Sequence, residues 1–319
     1  MIFQNKLFSV LRNSVRCQHI YKTSYCPSSE LAERLCNNLI YNENGIVVFN
    51  KPYGVSFALS DPPDRKTSEP NEVSLKTMLP HIKKILGYPT LLSAKVPEKY
   101  TSGVAIFCTD ENTVLKVKTA LTKMRSLATP QDNYIAVVVG SPTSYQGEFK
   151  GGITLKQSLV NKKQKKGMLV TTYSKKSAKR GDVSSVIIHY HTINSSDHAS
   201  LVSVSTTRNR WYCVRTFLST NLLCPVLGDN IFGSRVKTVL GSPVLVDILS
   251  QTTLSPQKLP QEIKKRLDIV DRKDLMVPLH LHLNKTLIHN FNNKELIEFN
   301  ADPPDTFKWT CERLELNLV

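Results

Sequence analysis

No stretch of this sequence approaches the ~20 consecutive apolar residues that span a bilayer, so no membrane-crossing helix is expected. None of the seven cysteines (Cys17, Cys26, Cys36, Cys108, Cys213, Cys224, Cys311) forms a Cys-x-x-Cys pair, and their number is odd. That argues against zinc knuckles and a disulfide framework, and fits thiols used as small apolar side chains in a reducing compartment. Internal repeats are absent, and so is a regular strand–helix–strand alternation. Acidic side chains are in deficit: 26 Asp and Glu against 42 Lys and Arg leave a net charge of +16. Such an excess favours polyanionic partners: RNA, DNA or an anionic membrane surface.

The deficit is sharpest at the N-terminus, where residues 1–29 carry no Asp or Glu. Lys6, Arg12, Arg16 and Lys22 supply positive charge, and Phe3, Leu7, Leu11 and Val15 recur every four residues, as on one side of a helix. A basic, acid-free amphipathic start reads as a mitochondrial transit peptide over residues 1–28, with the matrix as destination. The plain alternative is a basic tail.

The remaining 29–319 hold enough apolar material for one large domain; hydrophobic residues make up 40% of the 319. Ser28 or Ser29 is placed to cap a short helix over 31–36. Asn44-Gly45 between Leu39-Ile40-Tyr41 and Ile46-Val47-Val48-Phe49 predicts a hairpin that ends at Lys51-Pro52. A proline-rich loop over 56–72 precedes a helix over 73–86, broken or kinked near Pro80. Asp110 caps a basic helix, 111–126. Strands follow at 133–140, where Tyr134 and Ala136 share one face and Ile135 and Val137 the other, and again at 186–190 and 201–204. Between them, residues 161–181 read as a mobile basic loop or hairpin tip carrying Lys162, Lys163, Lys165 and Lys166, either a solubilising surface or a contact for a phosphate backbone. A helix opens near Cys213, a glycine-bounded turn covers 227–233, and 278–283 alternates as a strand. His280 and His282 share a face of it; without a third ligand, sheet packing is expected over a metal site. Short strands mixed with a few helices predict an α+β domain on a largely antiparallel sheet.

One stretch stands apart: Lys95-Val96-Pro97-Glu98-Lys99-Tyr100-Thr101-Ser102-Gly103, then the apolar run Val104-Ala105-Ile106-Phe107-Cys108. It puts a carboxylate on a turn at the edge of a core, where catalytic carboxylates are found, although a solvated loop glutamate is the commoner explanation.

The order of motifs resembles that of the RluA-type RNA pseudouridine synthases. Ile46-Val47-Val48-Phe49-Asn50-Lys51-Pro52-Tyr53-Gly54 resembles their opening strand. Thr101-Ser102-Gly103 is similar to the end of their Arg-Leu-Asp-x-x-Thr-Ser-Gly motif, and 133–140 to their tyrosine motif. Arg210-Trp211-Tyr212-Cys213-Val214-Arg215 falls where they have Gly-Arg-Thr-His-Gln-Ile-Arg, and Pro225-Val226-Leu227-Gly228-Asp229 resembles their Pro-x-x-Gly-Asp turn. The resemblance covers roughly 35–319. It implies a pseudouridine synthase fold: a largely antiparallel mixed sheet flanked by helices and loops around a central basic cleft. It further implies an isomerase that converts uridine to pseudouridine in mitochondrial mRNA or rRNA without metal or cofactor. Carried over by position, Glu98 stands where the family has its Asp, Tyr134 is the base-contacting tyrosine and Arg215 the arginine paired with the carboxylate. The candidate RNA contacts are Lys51, Arg208, Arg210, Lys162, Lys163, Lys165 and Lys166.

The departures are chemical. The extra methylene of Glu98 moves the carboxylate by more than ~1 Å, and misplacement on that scale costs on the order of 100-fold in rate. Val96-Pro97 replaces Arg-Leu, and Trp211-Tyr212-Cys213 replaces Thr-His-Gln. Two readings therefore stand: an active enzyme, or an RNA-binding factor of the same fold that supports mitochondrial RNA folding or works with ribosome assembly factors.

Overall fold

The computed structural model describes residues 28–58, 74–159, 165–247, 249, 257–269, 277–291 and 295–318. The basic N-terminal segment lies outside them, apart from Ser28, which opens helix α1 (Ser28–Asn37). The hairpin forms as expected: β1 (Leu39–Glu43) and β2 (Ile46–Lys51) are joined by Asn44 and Gly45 at φ of 54° and 75°, the doubly left-handed backbone that a tight hairpin turn requires. The loop expected over 56–72 falls mostly outside the described residues. Helix α2 (Leu75–Leu86) is closed by a capping box between Ser74 and Thr77 and stops at Gly87. It is not broken at Pro80; Met78 and Ile82 on either side are fully buried, and their packing carries the helix past the missing N–H.

Strands β3 (Leu92–Lys95) and β4 (Ser102–Cys108) bracket the Glu98 loop, and α3 (Glu111–Ser126) begins at Asp110, which accepts the Thr113 N–H at 2.8 Å. Then come β5 (Asp132–Val139), β6 (Gln146–Gln157), β7 (Lys165–Val170), the short helix α4 (Lys175–Arg180), β8 (Val183–Ser195) and β9 (Ala199–Thr206). The second half adds α5 (Cys213–Thr220), the hairpin β10 (Val236–Val239) and β11 (Ser242–Leu245), α6 (Gln261–Arg266), β12 (Leu281–Phe291), β13 (Glu295–Asn300) and α7 (Asp305–Arg313).

The basic stretch read as a mobile loop or hairpin tip over 161–181 includes one arm of the β6–β7 hairpin and more regular structure than a loop. From Lys165 onward it is strand β7 followed by helix α4, and only 161–164 lie outside the described residues. Its lysines hid the strand because β7 is an edge: among the described residues it pairs only with β6, from Gly152–Val170 to Gln157–Lys165. Charged side chains are tolerated there and protect the unpaired edge.

Among the described residues the main sheet has eleven strands, in the order β1-β2-β4-β12-β5-β9-β8-β6-β7, with β3 added to β4 and β13 to β12. All pairings are antiparallel except β4 with β12. That one parallel contact is close. A Cβ on Gly103, at φ 116°, would lie 2.1 Å from the Leu283 carbonyl oxygen, so only glycine fits.

The central strands β2, β4 and β5 are buried on both faces, whereas β6 and β8 alternate between buried and exposed residues. On β5, Tyr134, Ala136 and Val138 join a core with α3 and α5, while Ile135 and Val137 pack with Ile263 of α6 and Phe307 and Cys311 of α7. Around β2 and β4, α1 and α2 cover the opposite face through Ala32, Leu35, Leu75, Met78 and Ile82. Of the five described cysteines, Cys108, Cys213, Cys224 and Cys311 are buried free thiols and Cys36 is a partly buried one. His280 and His282 meet Phe307 at 5.7 and 6.4 Å between ring centroids. Their nitrogens bond within the protein: His280 to the Pro278 carbonyl and Thr310, His282 to Ser102 and the Ala301 carbonyl. Burial lowers both imidazoles to about 4, so they stay neutral. Through the 2.9 Å contact of Ser102 Oγ with Nδ1, His282 ties the Thr-Ser-Gly turn to β12.

Candidate active site

The loop between β3 and β4 carries Glu98 over the edge of the sheet. It is held from below by Lys51, expected from sequence at the RNA surface and in fact completely buried. The Lys51 ammonium donates to the carbonyls of Pro52 (3.0 Å), Val55 (2.8 Å) and Lys99 (3.1 Å), and the Gly54 N–H also donates to Lys99. Lys51 therefore fastens the Asn-Lys-Pro-Tyr-Gly turn to the residue after Glu98. Burial lowers its pKa to about 7, against the opposing pull of Glu98.

Glu98 is 22% exposed at its side chain and faces Arg215, with Oε2 3.7 Å from Nη1. This is an ion pair beyond hydrogen-bond reach, and neither atom has a hydrogen-bond partner among the described residues. The Arg215 guanidinium is committed elsewhere: Nε and Nη2 donate to the two oxygens of Asp229 at 2.9 and 2.6 Å. Asp229 is fully buried and also accepts the N–H groups of Ile231 and Phe232. The turn that presents it needs a glycine: a Cβ on Gly228, at φ 80°, would lie 2.1 Å from the Pro278 oxygen.

Burial raises the Glu98 carboxyl from 4.5 to about 7; Arg215 pulls it down, Asp229 pushes it up and Lys51 again lowers it. At Arg215 burial works against the charge, but the bonds to Asp229 and its charge outweigh it and the pKa is raised. The site thus holds a permanent cation beside a carboxylate that titrates near neutrality.

Glu98 opens into a cleft of about 540 Å³. Tyr134 lies in its wall, buried, with burial first and Asp132 second raising its phenol well above the ordinary value. Asn209 hydrogen-bonds Tyr134 and also accepts the Val214 N–H at the start of α5, so it couples the tyrosine to the helix that carries Arg215. Arg208 and Arg210 line the same cleft, joined by Lys95, Lys118 and Arg125. Burial, and then the charges of Arg125 and Arg210, lower the Arg208 pKa, as expected where like charges crowd together. Lys95 is paired with Asp132, which also accepts a bond from Thr286.

The structure therefore brings Glu98, Tyr134, Arg215, Arg208 and Arg210 together. It leaves Lys165 and Lys166 on the edge strand β7, outside the cleft lining, and Lys51 beneath the loop. Lys162 and Lys163 lie outside the described residues. β7 still approaches the site: a Cβ on Gly167 would lie 2.4 Å from the Trp211 carbonyl oxygen.

The arrangement has relatives. The chain is 27% identical over 297 residues to the Mitochondrial mRNA pseudouridine synthase RPUSD3 of Homo sapiens, covering 91% of this chain and 79% of that protein. It is 25% identical over 304 residues to the Pseudouridylate synthase RPUSD4, mitochondrial, of Danio rerio, covering 91% and 76%. The solved structure of Human RNA Pseudouridylate Synthase Domain Containing 4 superposes with a TM-score of 0.68 at 22% identity, over 91% of this chain and 98% of that one. This chain is a homologue of the mitochondrial pseudouridine synthases. No family model matches it.

Within the pseudouridine synthase fold, two site residues and one pairing escaped the sequence. Asp229 appeared there only as the end of a turn motif, yet it is the main partner of Arg215. Asn209 gave no signal beyond lying between two arginines. The Lys95–Asp132 pair joins residues 37 positions apart, and only the pairing of β5 with β12 beside β3 and β4 explains their meeting.

Proposed function

We propose that this chain is a mitochondrial RNA pseudouridine synthase in which Glu98 is the reacting carboxylate. The observation that carries the proposal is the placement of Glu98: mostly buried, facing Arg215, and open to a cleft lined by Tyr134 and five cationic side chains. The cations hold the phosphates of a strand while the target uridine leaves its stack and enters the cleft. Ionised Glu98 attacks C1′ or promotes loss of the 2′ proton; the C1′–N1 bond breaks and uracil turns within the cleft. C5 then bonds to C1′ as the Glu98–C1′ bond breaks or, on the other route, as the proton returns to C2′; the C5 proton departs and N1 gains one, so the product is an isomer of the substrate. Arg215, charged throughout and held by Asp229, stabilises the carboxylate form of Glu98. Tyr134, kept a neutral phenol by burial, contacts the base rather than acting as a phenolate.

Residues 1–28 serve in this reading as the matrix-targeting segment, and 29–319 as the synthase domain. The substrate is mitochondrial mRNA or rRNA. The 3.7 Å gap between Glu98 and Arg215, with the carboxyl half-protonated near pH 7, favours a second reading: a strand-holding factor that assists RNA folding or mitochondrial ribosome assembly without turnover. Incubation of the purified chain with mitochondrial transcripts, followed by chemical detection of pseudouridine, separates the two. New pseudouridine supports the enzyme; binding without conversion supports the second reading.

A further inference from the structure

Trp211 and Tyr212 are consecutive aromatic residues with φ of 55° and 62°. Bulky side chains are rarely held in this region, and strain of this kind concentrates where a site needs a particular orientation. The turn fixes the Tyr212 ring on a column of alternating rings and cations. Arg215 lies 4.9 Å from its centroid, the same guanidinium is 5.3 Å from Phe232, and Arg235 lies 4.3 Å from the Phe232 ring. The lower members of this column are buried, yet Tyr212 itself is 39% exposed. Tyr100, two residues after Glu98, is 44% exposed; it packs on Tyr53 at 5.7 Å and carries the Lys99 ammonium 5.2 Å from its ring. Both tyrosines are therefore backed and partly exposed: Tyr212 lies over the Arg215 that faces Glu98, and Tyr100 is on the same loop as Glu98, both outside the lining of the cleft itself. Core packing does not account for that exposure, and an aromatic face among cations suits a flat ring carrying phosphate.

We propose that Tyr212 and Tyr100 form the rim of the Glu98 pocket, on which a nucleobase of a bound single-stranded RNA stacks. The inference rests on the synthase reading and adds ring surfaces which that reading does not use, since Tyr134 lies inside the cleft. Stacking on tyrosine tolerates any base, so the rim contributes affinity and holds the strand in place while the cations set its path.

The test is equilibrium binding of the full chain to a labelled oligouridylate of about ten nucleotides, and to an oligomer of equal length with abasic riboses. Tyr212→Ala and Tyr100→Ala are each expected to weaken oligouridylate binding about tenfold and to match the wild type on the abasic strand, while Tyr212→Phe and Tyr100→Phe retain wild-type affinity. Alanine variants that bind oligouridylate as tightly as the wild type overturn the stacking rim, as do equal losses on both strands or phenylalanine variants as weak as alanine. A wild-type chain that binds neither strand overturns the RNA reading along with the rim. Strong wild-type binding untouched by the substitutions overturns the rim alone.

Discussion

Arg215 and Asp229 form a two-pronged buried ion pair, at 2.9 and 2.6 Å, and it is this pair that aims the third nitrogen of Arg215 at Glu98. Both residues are essentially without solvent exposure. Removing Asp229 leaves buried Arg215 with only the more distant Glu98 carboxyl as counter-charge, a loss on the order of 3 kcal/mol. Asp229→Ala is therefore expected to lower stability by that order in denaturant titration. Arg215→Lys, which keeps the charge but loses the fork, should fold better than Asp229→Ala and still lose most of its turnover.

The reach of the carboxylate is tested by shortening it. Glu98→Asp draws the oxygens back by about 1 Å from Arg215 on a loop that Lys51 holds in place, and a misplacement of that size costs on the order of 100-fold in rate. Single-turnover conversion should fall accordingly while RNA affinity stays near wild type. Equal or greater activity for the aspartate variant would mean that the loop adapts to either side chain.

The raised pKa of Glu98 gives the pH dependence. A carboxylate that must be ionised to react, with its pKa near 7, makes turnover rise from pH 6 to pH 8. Stability runs the other way. The folded state keeps the proton between about 4.5 and 7 where the unfolded chain loses it, so the Glu98 contribution falls as pH rises through that window. Glu98→Gln should abolish turnover and flatten this part of the stability profile, by on the order of 1–3 kcal/mol in thermal melts at pH 5 against pH 8.

The cleft cations are expected to act through phosphates. Arg125→Ala and Arg208→Ala should each weaken RNA binding at low salt and reduce the slope of log affinity against log salt by about one. Lys165→Ala, outside the cleft lining, should change the slope less.

Local signals made much of this legible. Asn44-Gly45, Asp110 and the two-residue alternation around Tyr134 each name a turn, a cap or a face from short-range chemistry, and the structure has all three. Motif order placed Glu98, Tyr134 and Arg215 in one site. What could not be read were relations across the sheet. Lys51 looks like a surface cation in sequence, because nothing local shows three carbonyls converging on it. β7 reads as part of a loop or hairpin tip rather than as a strand, because an edge strand can be built of lysines. Asp229 and Asn209 act on residues that lie close in sequence, at Arg215 and Val214, but through side-chain directions that spacing does not reveal.

The central claim, that the carboxylate of Glu98 performs the isomerisation, is met most directly by mapping pseudouridine across mitochondrial RNA in cells lacking this protein and rescued with wild type or Glu98→Ala. The account predicts that sites lost in the knockout return with the wild type and do not return with Glu98→Ala, although the variant still binds RNA. Full restoration of those sites by Glu98→Ala would contradict it.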